Sequence, residues 1–306
     1  MHRGRVEVAG NGFEMSVTQS GNSAELNLTI GDWVLLDMDG PRIETVLDRF
    51  GVFKRGAAGK SHTVQLIAAN VDTLLIVTSA NRDFNIARLE RYLAIAHDAG
   101  AFPVIVVTKA DTVESAESYV RDAAGLSPGL IVEALDARDP DDVARLMPWC
   151  GPGQTVALLG SSGVGKSTLI NTLAGTTQET CEVREDDQRG RHTTTGRSMH
   201  RLPDGGWLID TPGMRELQLV DIGDALDDVF AEISELAARC RFTDCSHDAE
   251  PGCAVQAAIE AGKLDAERLR RFRKLLSEDR RNSESVAERR ARERALGHFY
   301  LSLIHI

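Results

Sequence analysis

The densest run of chemistry-bearing residues is Gly160-Ser161-Ser162-Gly163-Val164-Gly165-Lys166-Ser167, followed by Thr168. Its glycines let the backbone curl until successive N–H groups converge on phosphate oxygens. A helix opening at the same point adds the positive end of its dipole. Lys166 supplies a point charge to terminal phosphates, and Ser167 offers a hydroxyl to Mg²⁺. The spacing G-x-x-x-x-G-K-S is that of a phosphate-binding loop, and it follows an apolar run, Thr155 to Leu159, as such a loop requires.

A phosphate loop does not choose the base. Upstream, Thr108-Lys109-Ala110-Asp111 ends another apolar run, Pro103 to Val107. A carboxylate at Asp111 accepts from guanine N1–H and the exocyclic amine, whereas adenine leaves it unpaired. Lys109 can lay its stem over the ring. Thr108 stands where GTPases usually carry Asn. Leu135-Asp136-Ala137, after a third run, is a further candidate for backbone contacts to the base. Downstream, Asp210-Thr-Pro-Gly213 places a carboxylate within water-mediated reach of Mg²⁺ and an N–H at Gly213 where a third phosphate would sit. Between these motifs, Arg189-Gly-Arg-His-Thr-Thr-Thr-Gly196 reads as a switch loop in which Thr194 orders on Mg²⁺ and γ-phosphate. The order is base motif, phosphate loop, switch loop, DTPG. Most GTPases put the base motif last, so the order here is circularly permuted, which a sheet tolerates when the original termini lie close.

Five cysteines are present, and three of them, Cys240, Cys245 and Cys253, bracket His247 in C-x4-C-x-H-x5-C. Four such ligands in a short loop make a closed tetrahedral Zn²⁺ site with a structural role. Cys150 and Cys181 read as incidental thiols.

These motifs need a scaffold. Residues 1–64 hold short alternating segments at 5–8, 13–17, 25–30, 32–37 and 42–47, punctuated by Gly and Asn; five such strands suit an OB-type barrel. The segment 55–61 reads as a basic connector. From 65 to 217, five apolar runs (74–78, 103–107, 130–132, 155–159, 207–209) alternate with helical spacing, which implies a parallel sheet covered on both faces. From 218 to 300 the chain reads as helical, with an apolar face through Leu226, Val229, Phe230, Ile233 and Leu236. The last six residues, 301–306, read as a non-native tail. The expected fold is therefore multidomain α/β: an OB-like barrel, a permuted P-loop domain and a helical zinc-binding domain.

Lys plus Arg number 35 against 46 Asp plus Glu, a net charge of −11. That excludes a whole-protein attraction to nucleic acid but not local patches. From Lys263 to Arg294, twelve basic residues face seven acidic ones, and Arg268, Arg270, Arg271, Arg273 and Lys274 are dense enough to line a helix. Arg42, Arg49, Lys54, Arg55 and Lys60 add charge on the barrel side. No apolar run approaches the roughly 18 residues of a membrane span, and Met1 to Gly10 lacks a signal core, so a cytoplasmic, monomeric protein is expected.

Together these motifs resemble the ribosome small-subunit-dependent GTPase A family over nearly the whole chain. The resemblance implies GTP hydrolysis with Mg²⁺, one structural Zn²⁺, and binding to the small ribosomal subunit and its rRNA during late maturation, with hydrolysis driving release. Met214 follows Gly213 where many GTPases carry a water-positioning Gln, a substitution the family shares. The family is thought to use an interswitch histidine instead. Here the matching Pro-x-Gly-Gly turn carries Asp204, and the candidates nearby are His200 and His192. The competing reading is a GTPase switch acting on a protein partner without RNA.

Overall fold

A computed structural model describes residues 5–10, 12–18, 27–37, 42–56, 64–175, 198–210, 214, 217 and 219–283. The chain divides into two compact units: Met1–Phe53 with Leu66–Leu217, and Lys54–Gln65 with Gln218–Ile306. The Arg189–Gly196 loop with Thr194 and His192, together with Gly213, Cys181, Lys60 and the 301–306 tail, lies outside the described residues.

The regular elements among the described N-terminal residues are β-strands, as the alternation predicts. β1 (Arg5–Gly10) pairs antiparallel with β2 (Phe13–Thr18), β3 (Val34–Asp37) pairs antiparallel with β4 (Arg42–Val46), and β5 (Val52–Gly56) pairs with β6 (Val64–Ala69). Two expectations differ. The strand predicted at 25–30 is irregular from Asn27, whose positive φ of 45° breaks extension, and only Ile30 bridges, to Ala68. The connector predicted at 55–61 begins inside β5 instead, where Arg55 Nε donates to Gln65 Oε1 at 3.0 Å.

The following strands build the central sheet: β7 (Thr73–Ser79), β8 (Phe102–Thr108), β9 (Ile131–Ala134), β10 (Thr155–Gly160), β11 (Ser198–Arg201) and β12 (Trp207–Asp210), in the order β11-β12-β10-β7-β8-β9. Five strands run parallel, and β11 joins antiparallel at the edge. Every residue of β7 and β10 is buried, which is why these strands read as unbroken apolar runs rather than alternating ones. Helices cover the sheet: α1 (Ile86–Asp98), α2 (Glu117–Ala124), α3 (Pro140–Val143), which continues as a 3₁₀ turn over Ala144–Trp149, and α4 (Lys166–Ala174). Local chemistry sets their starts. Asn85 caps α1 by accepting from Arg88 N–H at 2.9 Å, and Asp139 caps α3 ahead of Pro140.

The second unit carries α5 (Gly223–Val229), α6 (Ala231–Ala237), α7 (Ala254–Glu260) and α8 (Ala266–Ser283). The apolar face predicted as continuous through Leu236 is interrupted at Phe230 (φ −115°, ψ 39°). That break lets the buried Phe230 ring pack on Phe272 at a centroid distance of 5.2 Å. Arg268 lies over the same ring at 4.4 Å and binds the Val229 carbonyl and Glu232.

Candidate nucleotide site and metal centre

β10 ends at Gly160, and the chain turns through Ser161–Gly165 into α4, so the phosphate loop sits at a strand-to-helix junction as its spacing predicts. Glycines are required there. A Cβ at Gly160 would lie 2.2 Å from the Val77 carbonyl of the neighbouring strand, and Gly165 has a φ of +91°. Val164 is buried, whereas Ser162, Gly163 and Ser167 are exposed and Thr168 is half-buried. Lys166 is buried, and its Nζ donates to the carbonyls of Gly160, at 2.8 Å, and Ser161. The ammonium is thus held over the loop that would receive phosphates. Arg88 reaches the same loop from α1 by donating to Ser161 Oγ.

Parallel register places the other motifs on the same edge. β12 pairs with β10 from Thr155↔Trp207 to Ala157↔Ile209, so Asp210 leaves the sheet beside the phosphate loop. Ser167, at the first turn of α4, and Asp210 supply hard oxygen donors suited to Mg²⁺. His200 lies on β11 opposite Leu208, with its Nε2 3.0 Å from Ser198 Oγ. The turn bearing Asp204 precedes β12 at Trp207, on the end of the sheet away from the phosphate loop, where Gly206 packs against the Cys150 carbonyl. Burial, with the Asp204 charge second, pushes the Cys150 thiol up to about 12, in keeping with an inert buried thiol.

Thr108 ends β8 fully buried, and its hydroxyl lies 2.9 Å from the Thr78 carbonyl and 2.6 Å from the Val164 carbonyl. The residue that replaces the usual Asn therefore ties the base motif to both β7 and the phosphate loop. Lys109 adopts a left-handed φ of 59°, and Ala110–Thr112 form a 3₁₀ turn carrying Asp111. The Leu135–Ala137 segment lies alongside, with Ala110 N–H donating to the Leu135 carbonyl at 3.4 Å. Thr172 of α4 donates to the Ala137 carbonyl at 2.7 Å, so the phosphate-loop helix also holds the third loop. Sequence reasoning missed Arg138, whose Nη2 donates to Asp111 Oδ2 at 2.7 Å. Only its position beside Asp136 hinted at it.

In the second unit, Cys240, Cys245, His247 and Cys253 converge, with their ligand atoms all within 4.8 Å of one another. The Cys240–Cys253 sulfur separation is 3.9 Å, and His247 Nδ1 lies 3.6 Å from each of those sulfurs. A tetrahedral Zn²⁺ with bonds of about 2.3 Å to sulfur and about 2.1 Å to nitrogen requires edges of about 3.8 and 3.6 Å, so Cys240, His247 and Cys253 have the spacing the ion needs, with Cys245 within reach as the fourth ligand. Backbone geometry builds the knuckle. His247 takes a φ of 61°, and Cys253 caps α7 by accepting from Gln256 N–H. Glu250 accepts from the N–H groups of Ser246 and Asp248, each at 2.9 Å, and from the Ser246 hydroxyl. These bonds, the hydroxyl's first, hold its carboxylate at about 2. Desolvation, with the Arg273 charge second, keeps His247 below its ordinary value, which favours the neutral ring a metal needs.

Comparison with known proteins follows the same lines. Residues 46–220 match the RsgA GTPase family. The small ribosomal subunit biogenesis GTPase RsgA of Mesorhizobium japonicum is 52% identical over 287 residues, covering 92% of this chain and 83% of that one. RsgA 2 of Vibrio vulnificus is 54% identical over 278 residues, covering 90% and 79%. Among solved structures, YjeQ from Thermotoga maritima superposes with a TM-score of 0.63 at 25% identity, covering 89% of this chain and 94% of that one. YloQ, described as a circularly permuted GTPase, superposes with 0.62 at 25%, covering 92% and 96%.

Proposed function

The chain belongs to the RsgA GTPase family, and from that membership we propose that it hydrolyses GTP on the small ribosomal subunit during late maturation, with hydrolysis driving release. The observation that carries the reading is the assembly of base motif, phosphate loop and Asp210 on one sheet edge. It occurs in a chain that matches subunit-biogenesis GTPases over nine-tenths of its length. The working arrangement is a barrel over 1–64, a permuted GTPase domain over 65–217 and a helical zinc domain over 218–300, acting as a cytoplasmic monomer. Among the described residues no helix is long and apolar enough to cross a membrane.

Within that reading Lys166 and the loop amides hold the phosphates, Ser167 and Asp210 hold Mg²⁺, Thr194 and Gly213 respond to the third phosphate, and Asp111 reads guanine. Bound there, Mg²⁺ would supply positive charge to offset the negative charge developing on the phosphate oxygens. His200 is the proposed water-positioning residue.

The RNA-binding surface is narrower than charge counting suggests. Arg268 is buried, and Arg273 is committed to Asp248 and the Ser246 carbonyl of the zinc knuckle. Arg49 forks onto Asp32, and Arg42 pairs with Asp37. Arg270, which among the described residues pairs with the exposed Glu267, and the exposed Lys274 remain suited to phosphate contact. In the first unit Phe13, Trp33, Trp207 and Arg201 line a cleft of about 580 Å³, with Trp33 60% exposed, a composition that suits stacking of unpaired bases. Sedimentation with purified small subunits tests the reading. Co-sedimentation with a non-hydrolysable GTP analogue and loss with GDP are expected, whereas equal failure with both nucleotides would favour a protein partner.

A further inference from the structure

Asp111 is not alone in its loop. Arg138 Nη2 donates to Asp111 Oδ2 at 2.7 Å and also to Asp136 Oδ2 at 2.9 Å, while Nε donates to Asp136 Oδ1 at 3.0 Å. One guanidinium nitrogen therefore bridges two carboxylates. The bridge is anchored from behind. Asp136 N–H donates to Asp142 Oδ2 at 2.9 Å, Arg138 N–H donates to Asp136 Oδ1 at 2.9 Å, and Thr172 holds the Ala137 carbonyl. The Arg138 side chain is 68% exposed, so no packing demands its position; the two acids place it.

The chemistry of guanine recognition gives this arrangement a purpose. Asp111 must be ionised and aimed to accept two N–H donors at once. A second carboxylate reaching the same guanidinium nitrogen works against that aim, because like charges at such range repel and would swing the two side chains apart. Arg138 removes the conflict by lying between the acids, and in doing so it holds the Asp136 carboxyl below its usual range. It occupies only Oδ2 of Asp111, an oxygen that has a second lone pair for the base.

We propose that Arg138 is a positioning residue for guanine: it clamps Asp111 against Asp136 and holds the base-reading carboxylate in the orientation that meets the base. The proposal rests on Asp111 receiving the base. The rival role is displacement. A guanidinium edge presents parallel N–H donors much as guanine does, so Arg138 could compete with the base instead, and the two roles predict opposite signs.

The test is GDP and IDP affinity, by fluorescent-nucleotide competition, for the wild type and for Arg138→Ala, Asp136→Asn, the double variant and Asp111→Asn, with melting curves to confirm folding. Arg138→Ala should weaken GDP binding roughly two- to fivefold, the scale of one largely exposed charged contact. Adding Asp136→Asn should restore most of the loss, because the uncompensated second charge is then gone; a purely structural loop residue would not be rescued this way. Unchanged or tighter GDP binding in Arg138→Ala overturns the proposal, as does a loss that Asp136→Asn fails to rescue. Asp111→Asn separates the two layers: if it leaves GDP binding intact, the base-recognition reading itself falls, whatever Arg138 does.

Discussion

Thr108→Val isolates one hydroxyl at the junction of the base motif and the phosphate loop. Valine keeps the shape of threonine, so no cavity opens and only the donor is lost. Thr108 is fully buried, and its hydroxyl serves the carbonyls of Thr78 and Val164. A buried carbonyl deprived of its donor costs about 1–3 kcal/mol. Part of that is offset by the extra buried methyl, which leaves roughly 1.5 kcal/mol. For a unit of this size that shifts the melting midpoint down by about 3–6 °C. Because Val164 belongs to the phosphate loop, GDP and IDP should both bind about threefold to tenfold more weakly, with their ratio unchanged. Thr108→Ser keeps the donor and should retain nucleotide affinity. The assay is a pair of melting curves with and without GDP, plus titration of both nucleotides. Unaltered melting together with a changed GDP to IDP ratio would refute the reasoning, because the hydroxyl would then be serving the base.

Lys166→Ala should abolish hydrolysis by removing the ammonium held over the loop, and single-turnover assays that find wild-type turnover would reject that role. Metal analysis of protein purified without chelator should find about one zinc per chain, and Cys245→Ser should lower that content and destabilise the helical unit in a melting curve; full zinc in the variant would remove Cys245 from the ligand set. Reversing Arg270 and Lys274 to Glu should weaken small-subunit binding, most visibly at low salt, with GDP affinity and zinc content intact. Reversing Arg273 should instead disturb zinc retention, through Asp248 and the Ser246 carbonyl, and unchanged zinc content there would count against its structural assignment.

The sheet was legible because β7, β8 and β10 are largely buried on both faces and leave continuous apolar runs. β11 left no such trace. Ser198-Met-His-Arg201 is an edge strand held by antiparallel register to β12, and register is a long-range property. β5 was hidden by Lys54 and Arg55, charged residues suited to an exposed strand but equally typical of a linker. The break at Phe230 was invisible for the opposite reason: the apolar spacing runs straight through it, and the ring that packs on Phe230, Phe272, is more than forty positions away. Motif spacing picked out the candidate phosphate loop, base motif and metal-ligating cluster, because each is built from near neighbours. The roles of Thr108 and Arg138 depend on two loops meeting at one sheet edge, which spacing does not encode. For the same reason a run of arginines read as one basic face divides in the fold between Arg268, buried against Phe230, and Arg270, exposed.

The central claim is that this permuted site works on the small ribosomal subunit. GTP hydrolysis measured alone, with purified small subunits, and with large subunits at the same concentration tests it most directly. The account predicts that phosphate release rises by an order of magnitude or more with small subunits only, and that Lys166→Ala removes the rise. Equal stimulation by both subunits, or by neither, would contradict it.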